Sequence, residues 1–427
     1  MLDFLFQLES EDGIYASSKE DVYGCIFGRD SAITILKILR VVERKNVLTP
    51  EQENHLLTMC HTTLMTLVKT QGTKVIIESG EEPGKFVHEF RKKDYEELID
   101  RFKGWYIYPN GEFKNYDSLD STPLVLLALF RFWQVTQDTA FMQTILPAVQ
   151  SGLRWIMEFG DPDNDYLLEY IFHKDRQYNG LKVQSWTDSV ESIADVQGII
   201  PPYPIAPVEV QGYAWLALKV WSSFFTIKEN LFTDQVHFAR ELSFFAQQMK
   251  KRFQETFIIK DQNLWYAAQA LDGKKRQVKT ITANPLLLLR AYFTDEKGLE
   301  SIIDTQYIPD MVKRGFASDM FESDAGIRTM SSLSPTFNPS RNSYHNGSFW
   351  PFLNGMIYEG LEAWGYFDEA VRLKKATLSA IEYFQTPIEL YIKGQDGSLL
   401  EYKNEFGQVS CRNQAWTAAS VLDMITG

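Results

Sequence analysis

Cysteine is scarce in this chain. Cys25, Cys60 and Cys411 are the only three in 427 residues, widely spaced and without a Cys-x-x-Cys pair. An odd, scattered set points to neither a disulfide framework nor a zinc site, and small buried apolar side chains are the expectation for all three. Histidine is almost as sparse. His55, His61, His88, His173, His237 and His345 form no His-Glu-x-x-His and no other ligand pair, so no metal is expected. Positive charge is in deficit: the formal net charge is -13, and a phosphate-binding face needs clustered Lys and Arg, so nucleic acid is excluded as a partner. Long hydrophobic runs are missing as well. The best one, Leu124 to Phe130, is followed at once by Arg131, far short of the roughly 20 apolar residues of a membrane span. The opening MLDFLFQLESEDG has no basic segment ahead of an apolar one, so it is no signal peptide, and a cytoplasmic location is expected. No glycine-rich phosphate loop and no Gly-x-Ser-x-Gly elbow occur, which removes nucleotide cofactors and that form of acyl transfer.

Helical periodicity dominates what is present. Helices are predicted over 31–45, 121–138, 141–160, 208–229, 232–257, 284–293, 349–367, 368–385 and 412–426. Thr122 followed by Pro123 is a strong start signal, Gly160 a C-cap, and Pro147 should kink or break the helix around it. Strand signals are few: 74–79 and 264–270 predict short hairpins in loops. The helices come in consecutive pairs, with longer polar stretches at 71–119, 161–207, 258–283 and 317–347. Such stretches commonly carry function. The pattern predicts an all-α (α/α)6 toroid, formed by one domain over 1–427, since no Pro/Gly/Ser-rich linker divides the chain.

Four acid-bearing clusters stand out. Gly28-Arg29-Asp30-Ser31 opens the first apolar helix; Asp30 there could simply cap it, but an adjacent guanidinium fork and carboxylate also match sugar hydroxyls, which both donate and accept. Tyr116 to Pro123 holds Asp117 and Asp120 before a strong helix start, where a turn with a cap and a binding role are equally good readings. In Trp186-Thr187-Asp188-Ser189, an acid beside an indole would be desolvated, its pKa raised, and thus kept protonated as a general acid. Leu400-Glu401-Tyr402 sets an acid between apolar neighbours, although a surface glutamate is the plainer reading of those letters. With aromatics at 14% and ten Trp, stacking surfaces for sugar rings are available, as are fillers for a large core.

Together these clusters resemble the amylo-α-1,6-glucosidase part of glycogen debranching enzymes and related (α/α)6 inverting glycoside hydrolases. The resemblance runs along almost the whole chain. It includes Gly28 to Ser31, His88-Glu89-Phe90-Arg91, Tyr116 to Leu124, Trp186 to Ser189 and Glu209-Val210-Gln211-Gly212-Tyr213. Gly326 to Ser331, Tyr344-His345-Asn346-Gly347-Ser348-Phe349-Trp350-Pro351 and Asn413-Gln414-Ala415-Trp416 complete it. It implies Asp188 as general acid, Glu401 as general base, and Arg29 and Asp30 as the pair that binds hydroxyls in the cleaved subsite. It further implies Asp120, Trp186, Glu209, Gln211, Tyr344, His345, Asn346, Trp350 and Trp416 as lining residues, with no cofactor and a carbohydrate as the partner. The implied reaction is inverting hydrolysis of an α-glucosidic bond. Debranching enzymes usually carry further domains, whereas this chain starts almost at Gly-Arg-Asp. A small glycoside of the trehalose, glucosylglycerate or mannosylglycerate type is therefore as open as branched glycogen. Two readings of other classes remain. A sugar epimerase would need two proton-carrying His, of which only His345 lies in a motif; a non-catalytic sugar-binding protein would lack one working acid.

Overall fold

The computed structural model describes residues 1–92, 104–227, 235–296 and 298–427. In chain order its helices begin with α1 (Leu2–Phe6), α2 (Gly28–Val42) and α3 (Pro50–Lys69). They continue with α4 (Ser121–Thr136), α5 (Thr139–Glu158), α6 (Val208–Ile227) and α7 (Val236–Thr256). After a 3-10 helix (Asn284–Leu289) come α8 (Ile308–Gly315), α9 (Pro351–Ala363), α10 (Phe367–Phe384) and α11 (Ala415–Thr426). The predicted helix over 232–257 begins within residues outside those described.

Hydrophobicity sorts these elements into two layers. In α6, 16 of 20 residues are buried, polar Glu209 and Gln211 included. In α7, 7 of 21 are, all on one stripe. The first pattern needs neighbours on every side and the second only one. Accordingly α2, α4, α6, the 3-10 helix, α9 and α11 pack each on the next, and α11 returns to α2, closing a cycle. The others back this cycle from outside: α3 on α2 and α4, α5 on α4, α7 on α6, α8 on the 3-10 helix, α10 on α9 and α1 on α11. The result is a helical toroid with small two- and three-stranded sheets in its loops.

Two of those sheets matter here. β1 (Ile26–Phe27), β2 (Glu89–Arg91) and β3 (Phe113–Asn115) form an antiparallel sheet directly before α2. β4 (Tyr391–Lys393) and β5 (Leu399–Glu401) form a hairpin between α10 and α11. The β1–β2 sheet meets α2 closely: the Gly28 N–H donates to the His88 carbonyl at 2.8 Å, and a Cβ at Gly28 would overlap the Val87 carbonyl oxygen. Glycine is required there so that Arg29 and Asp30 can enter from β1.

Several predicted details differ. α5 runs through Pro147 without interruption, its stripe of Met142, Ile145, Val149 and Leu153 buried, so tertiary packing outweighs the lost hydrogen bond. Gly160 closes that helix with its N–H on the Trp155 carbonyl. α4 starts at Ser121, two residues before Pro123, and its cap position is Asp120 and not Thr122, without a side-chain cap hydrogen bond from Asp120. The Thr122 hydroxyl instead accepts the Phe86 N–H at 2.9 Å. The stretch 284–293 is a 3-10 helix followed by a strand over Tyr292–Asp295, and 74–79 contributes only an isolated bridge, Ile76 to Glu81. Strands Leu264–Ala267 and Ala270–Leu271 do occur within 264–270 and beyond. All three cysteines are free and buried. Among the described residues no helix is long and apolar enough to cross a membrane.

Candidate active site

The inner helices present their N-termini to one face of the ring. Arg29 and Asp30 stand in the first turn of α2, Asp120 just before α4, Glu209 in the first turn of α6, Trp350 just before α9 and Trp416 at the start of α11. The partial positive charge at each N-terminus favours acids there. Arg29 supplies the full positive charge. Its Nη1 donates to Asp120 Oδ2 at 3.3 Å and to the Ser185 carbonyl at 3.1 Å, and its Nη2 donates to Asp188 Oδ2 at 3.0 Å. Its Nε lies 3.6 Å from Asp30 Oδ2. One guanidinium thus fixes three acids from three separate segments.

A chamber opens above this cation, lined by Arg29, Asp30, Trp186, Asp188, Tyr344, His345, Trp350 and Trp416 together with Tyr23, Phe27, Glu389 and Gln414. Its aromatic walls interlock. Trp186 meets His345, Trp350 and Phe352 edge-on, and His345 stacks on Trp350 at 5.2 Å. His345 Nδ1 lies 2.9 Å from Ser189 Oγ and accepts the Ser189 N–H at 3.3 Å. The hydrogen-bond network therefore assigns the proton to Nε2, and burial holds this imidazole neutral. His345 Nε2, Trp186 Nε1, Trp416 Nε1, Asp30 Oδ2 and Gln414 Oε1 are buried without a hydrogen-bond partner among the described residues. Unsatisfied buried donors and acceptors are costly. Three donors and two acceptors lining one chamber form a set that a polyhydroxylated ring can satisfy.

Burial also governs the acids. It pushes the Asp30 carboxyl up to about 7 against the pull of Arg29, and raises Asp188 against the same pull. Glu389 is likewise pushed up to about 7 by burial. Its Oε1 accepts the Tyr344 hydroxyl at 2.5 Å and its Oε2 the Cys411 N–H at 3.0 Å. The Tyr23 and Tyr344 hydroxyls are 3.0 Å apart. Asp188 borders the chamber on one side and a second hollow of about 300 Å³ on the other. A larger hollow of about 450 Å³ lies at the far ends of the inner helices, but its carboxylates, Glu43 and Glu359, are tied to Arg131 and to Arg40 and Arg290.

The remaining predicted residues fall outside the chamber lining. Asp120 is fully buried behind Arg29 and also accepts the Ser118 hydroxyl. Glu209 is fully buried, without a hydrogen-bond partner for either oxygen among the described residues, and burial pushes it up to about 7. Gln211 spends its amide on the Leu168 N–H and carbonyl and on the Pro207 carbonyl, pinning the loop before α6. Asn346 donates to the Glu191 carbonyl at 3.3 Å. Glu401 ends β5 at the hairpin, its side chain 23% exposed and 3.7 Å from Arg412, while its carbonyl accepts Arg341 Nε at 2.6 Å.

The family model for amylo-α-1,6-glucosidase matches residues 105–423. The chain belongs to the amylo-α-1,6-glucosidase family. It is accordingly a glycoside hydrolase. The curated proteins give no match. Among solved structures, the fold is similar to that of the GH63 mannosylglycerate hydrolase from Thermus thermophilus in complex with Tris. That pair is 14% identical with a TM-score of 0.65, covering 99% of this chain and 98% of that one. The same hydrolase in complex with glucose aligns at 14% identity and TM-score 0.63, and in complex with Tris and D-glycerate at 15% and 0.63, each over the same shares of the two chains.

In this amylo-α-1,6-glucosidase family member, Tyr23, Phe27 and Glu389 line the chamber without having been singled out from the sequence, and Gln414, named in the sequence only as part of the Asn413 to Trp416 motif, lines it too. For Glu389 a signal was available. It interrupts the apolar run Ile388-Glu389-Leu390-Tyr391-Ile392, and an acid inside such a run is either buried or ends the strand.

Proposed function

We propose that the protein hydrolyses an α-glucosidic bond with inversion, Asp188 acting as general acid and Glu389 as general base. The observation that carries this reading is that three burial-raised carboxyls line a chamber rich in unsatisfied sugar-type contacts: Asp30 beside Arg29 Nε, Asp188 hydrogen-bonded to Arg29, and Glu389 hydrogen-bonded to Tyr344. Asp188 adjoins both the chamber and the second hollow, the position from which a carboxyl can protonate the oxygen between a bound sugar and its leaving unit. Glu389 adjoins the chamber alone, where it can deprotonate a water on the other face of the ring. A base poised near neutrality suits that task. Inverting enzymes leave roughly 6.5–9.5 Å between the two carboxyls for this water. The base thus falls to Glu389 in place of Glu401, whose side chain sits with Arg412 at the hairpin end. The cycle of six inner elements and their outer partners is read as an (α/α)6 toroid formed by a single domain over 1–427.

In the reaction so drawn, Arg29, Asp30, His345, Trp186 and Trp416 bind and orient the ring. Water attacks the anomeric carbon as Glu389 takes its proton, the glycosidic bond breaks, and Asp188 gives its proton to the leaving oxygen. Proton NMR of the first product formed from an α-glucoside tests this directly: the β-anomer is expected, and the α-anomer would contradict inversion.

Tyr344 sets the base. Its hydroxyl donates to Glu389, which favours the ionised carboxylate. Tyr344→Phe is expected to raise the Glu389 pKa above its present level of about 7. Because the base works ionised, the acidic limb of the pH profile of kcat/KM should move to higher pH, by about half to one unit. An unmoved limb would detach Tyr344 from the base.

A further inference from the structure

The larger hollow, of about 450 Å³, lies at the end of the ring away from the chamber. Arg29 stands in the first turn of α2, whereas Leu36 and Arg40, on its later turns, reach this hollow. Eleven residues of helix separate Arg29 from Arg40, about 16 Å at 1.5 Å per residue. A molecule held here leaves the chamber free. Leu127, Phe130 and Trp133 line the hollow from α4, Val220 and Phe224 from α6, and Phe293 from the strand over Tyr292–Asp295. Trp133 meets Phe224 edge-on, with ring centroids 4.9 Å apart. Three guanidinium groups stand against these apolar walls, and two of them are spent. Arg131 gives Nη1 to Gln134 and Nη2 to Glu43. Arg40 gives Nε to Asp423 and Nη2 to Glu362, with Nη1 3.7 Å from Glu359. Arg290 differs. It is only 7% exposed, and its Nε donates to Glu359 Oε2. Neither Nη has a partner among the described residues, and neither is closed off from the hollow. Glu359 does not neutralise it alone, because the same carboxylate also serves Lys37 and Arg40.

We infer that this hollow binds a small organic carboxylate with a flat aromatic body, its carboxylate on Arg290 and its ring among Phe130, Trp133, Phe224 and Phe293. A buried donor without a partner is costly. The two unspent Nη groups of a guanidinium form a fork that receives a carboxylate through two parallel hydrogen bonds. The aromatic walls offer edge-on and offset contacts to a ring, and apolar walls around one placed polar group are the composition usual for small-molecule sites. A dianion such as a phosphate monoester fits less well, because its second charge would meet Glu43 and Glu359 on the same lining. An amine would leave Arg290 unspent and be repelled by it.

The test titrates the purified protein with phenylacetate and indole-3-acetate, and with their uncharged amides, phenylacetamide and indole-3-acetamide. The better acid is expected to bind one to one and at least ten-fold more tightly than its amide, which lacks the charge that Arg290 receives. Arg290→Met should weaken the acid at least ten-fold and erase the difference between acid and amide, whereas Arg290→Lys should keep the acid ahead. Ser223, half-buried on the hollow's α6 wall, takes no part in the ion group. Ser223→Trp fills the hollow and should weaken the acid at least ten-fold; it carries the test if Arg290→Met does not fold. Equal affinity for acid and amide overturns the inference, as does acid binding unchanged in Ser223→Trp. So does the absence of binding by either acid up to about 10 mM, where an affinity would be worth less than about 3 kcal/mol. None of these outcomes bears on the hydrolase reading, which rests on the opposite end of the ring.

Discussion

Asp188→Asn is expected to lower kcat/KM by roughly 10²–10⁴-fold on an α-glucoside with a poor leaving group, the usual range for loss of a general acid. On α-glucosyl fluoride, whose leaving group needs no proton at neutral pH, the loss should be at least ten-fold smaller. The contrast matters because Asp188 also accepts from Arg29 at 3.0 Å, so its removal disturbs Arg29 for every substrate. Only the leaving-group dependence isolates proton donation. An Asn at 188 can still accept from the guanidinium, which keeps the structural part of the loss small. Equal losses on the two substrates would make Asp188 a binding residue only.

The second large effect concerns stability and lies away from the chamber. Lys37 on α2 is fully buried, and its Nζ donates to Glu359 Oε2 at 2.7 Å, the Gly355 carbonyl at 2.9 Å and Asp423 Oδ2 at 3.0 Å. Asp423 also receives Arg40 and Arg44, and Glu359 receives Arg290 Nε at 3.2 Å. The cluster joins the first helix of the cycle to its last two, α9 and α11. Removing one member of a buried ion group leaves the others uncompensated, at a cost of about 3–5 kcal/mol. Lys37→Met should therefore lower the free energy of chemical unfolding by that amount while the anomer of the product stays the same. The pH dependence follows from Glu359. Burial opposes its charge, yet Arg290, Lys37 and Arg40 overcome burial and hold its carboxyl well below the usual range. Its folded pKa is thus depressed. The stability it contributes is fully present above the ordinary glutamate pKa of about 4.3 and is lost as pH falls below that value. A Lys37→Met protein as stable as the wild type at pH 7 would show that the cluster adds nothing net.

How much of this was legible beforehand depended on what each side chain had been recruited to do. Helices buried all round, such as Val208–Ile227, were plain from their letters. The helix Pro50–Lys69 was not predicted, although it opens with a complete capping box, Thr49 with Gln52, and Pro50 at its first position. Its outer-layer role dilutes the apolar stripe to Leu56, Met59, Cys60, Leu64 and Leu67, and the start signal was the stronger clue. Around α4, capping rules were misled by the site: Asp120 serves Arg29, and Thr122 serves the Phe86 backbone. Motif-borne residues gathered as a group, with Arg29, Asp30, Trp186, Asp188, Tyr344, His345, Trp350 and Trp416 around one chamber. The base proposed here is harder to choose from sequence. Glu389 lies two residues before β4 and Glu401 ends β5, where it pairs with Tyr391, so a twelve-residue step along the chain links two acids that differ chiefly in burial. Pattern alone gives no depth, and depth is what distinguishes them.

That distinction supplies the most direct measurement: kcat of Glu389→Gln beside kcat of Glu401→Gln on the same α-glucoside at the pH optimum. A loss of roughly 10²–10⁴-fold is expected for Glu389→Gln, with turnover within a few-fold of wild type for Glu401→Gln. The reverse order, with Glu401→Gln inactive and Glu389→Gln active, would contradict Glu389 as the base.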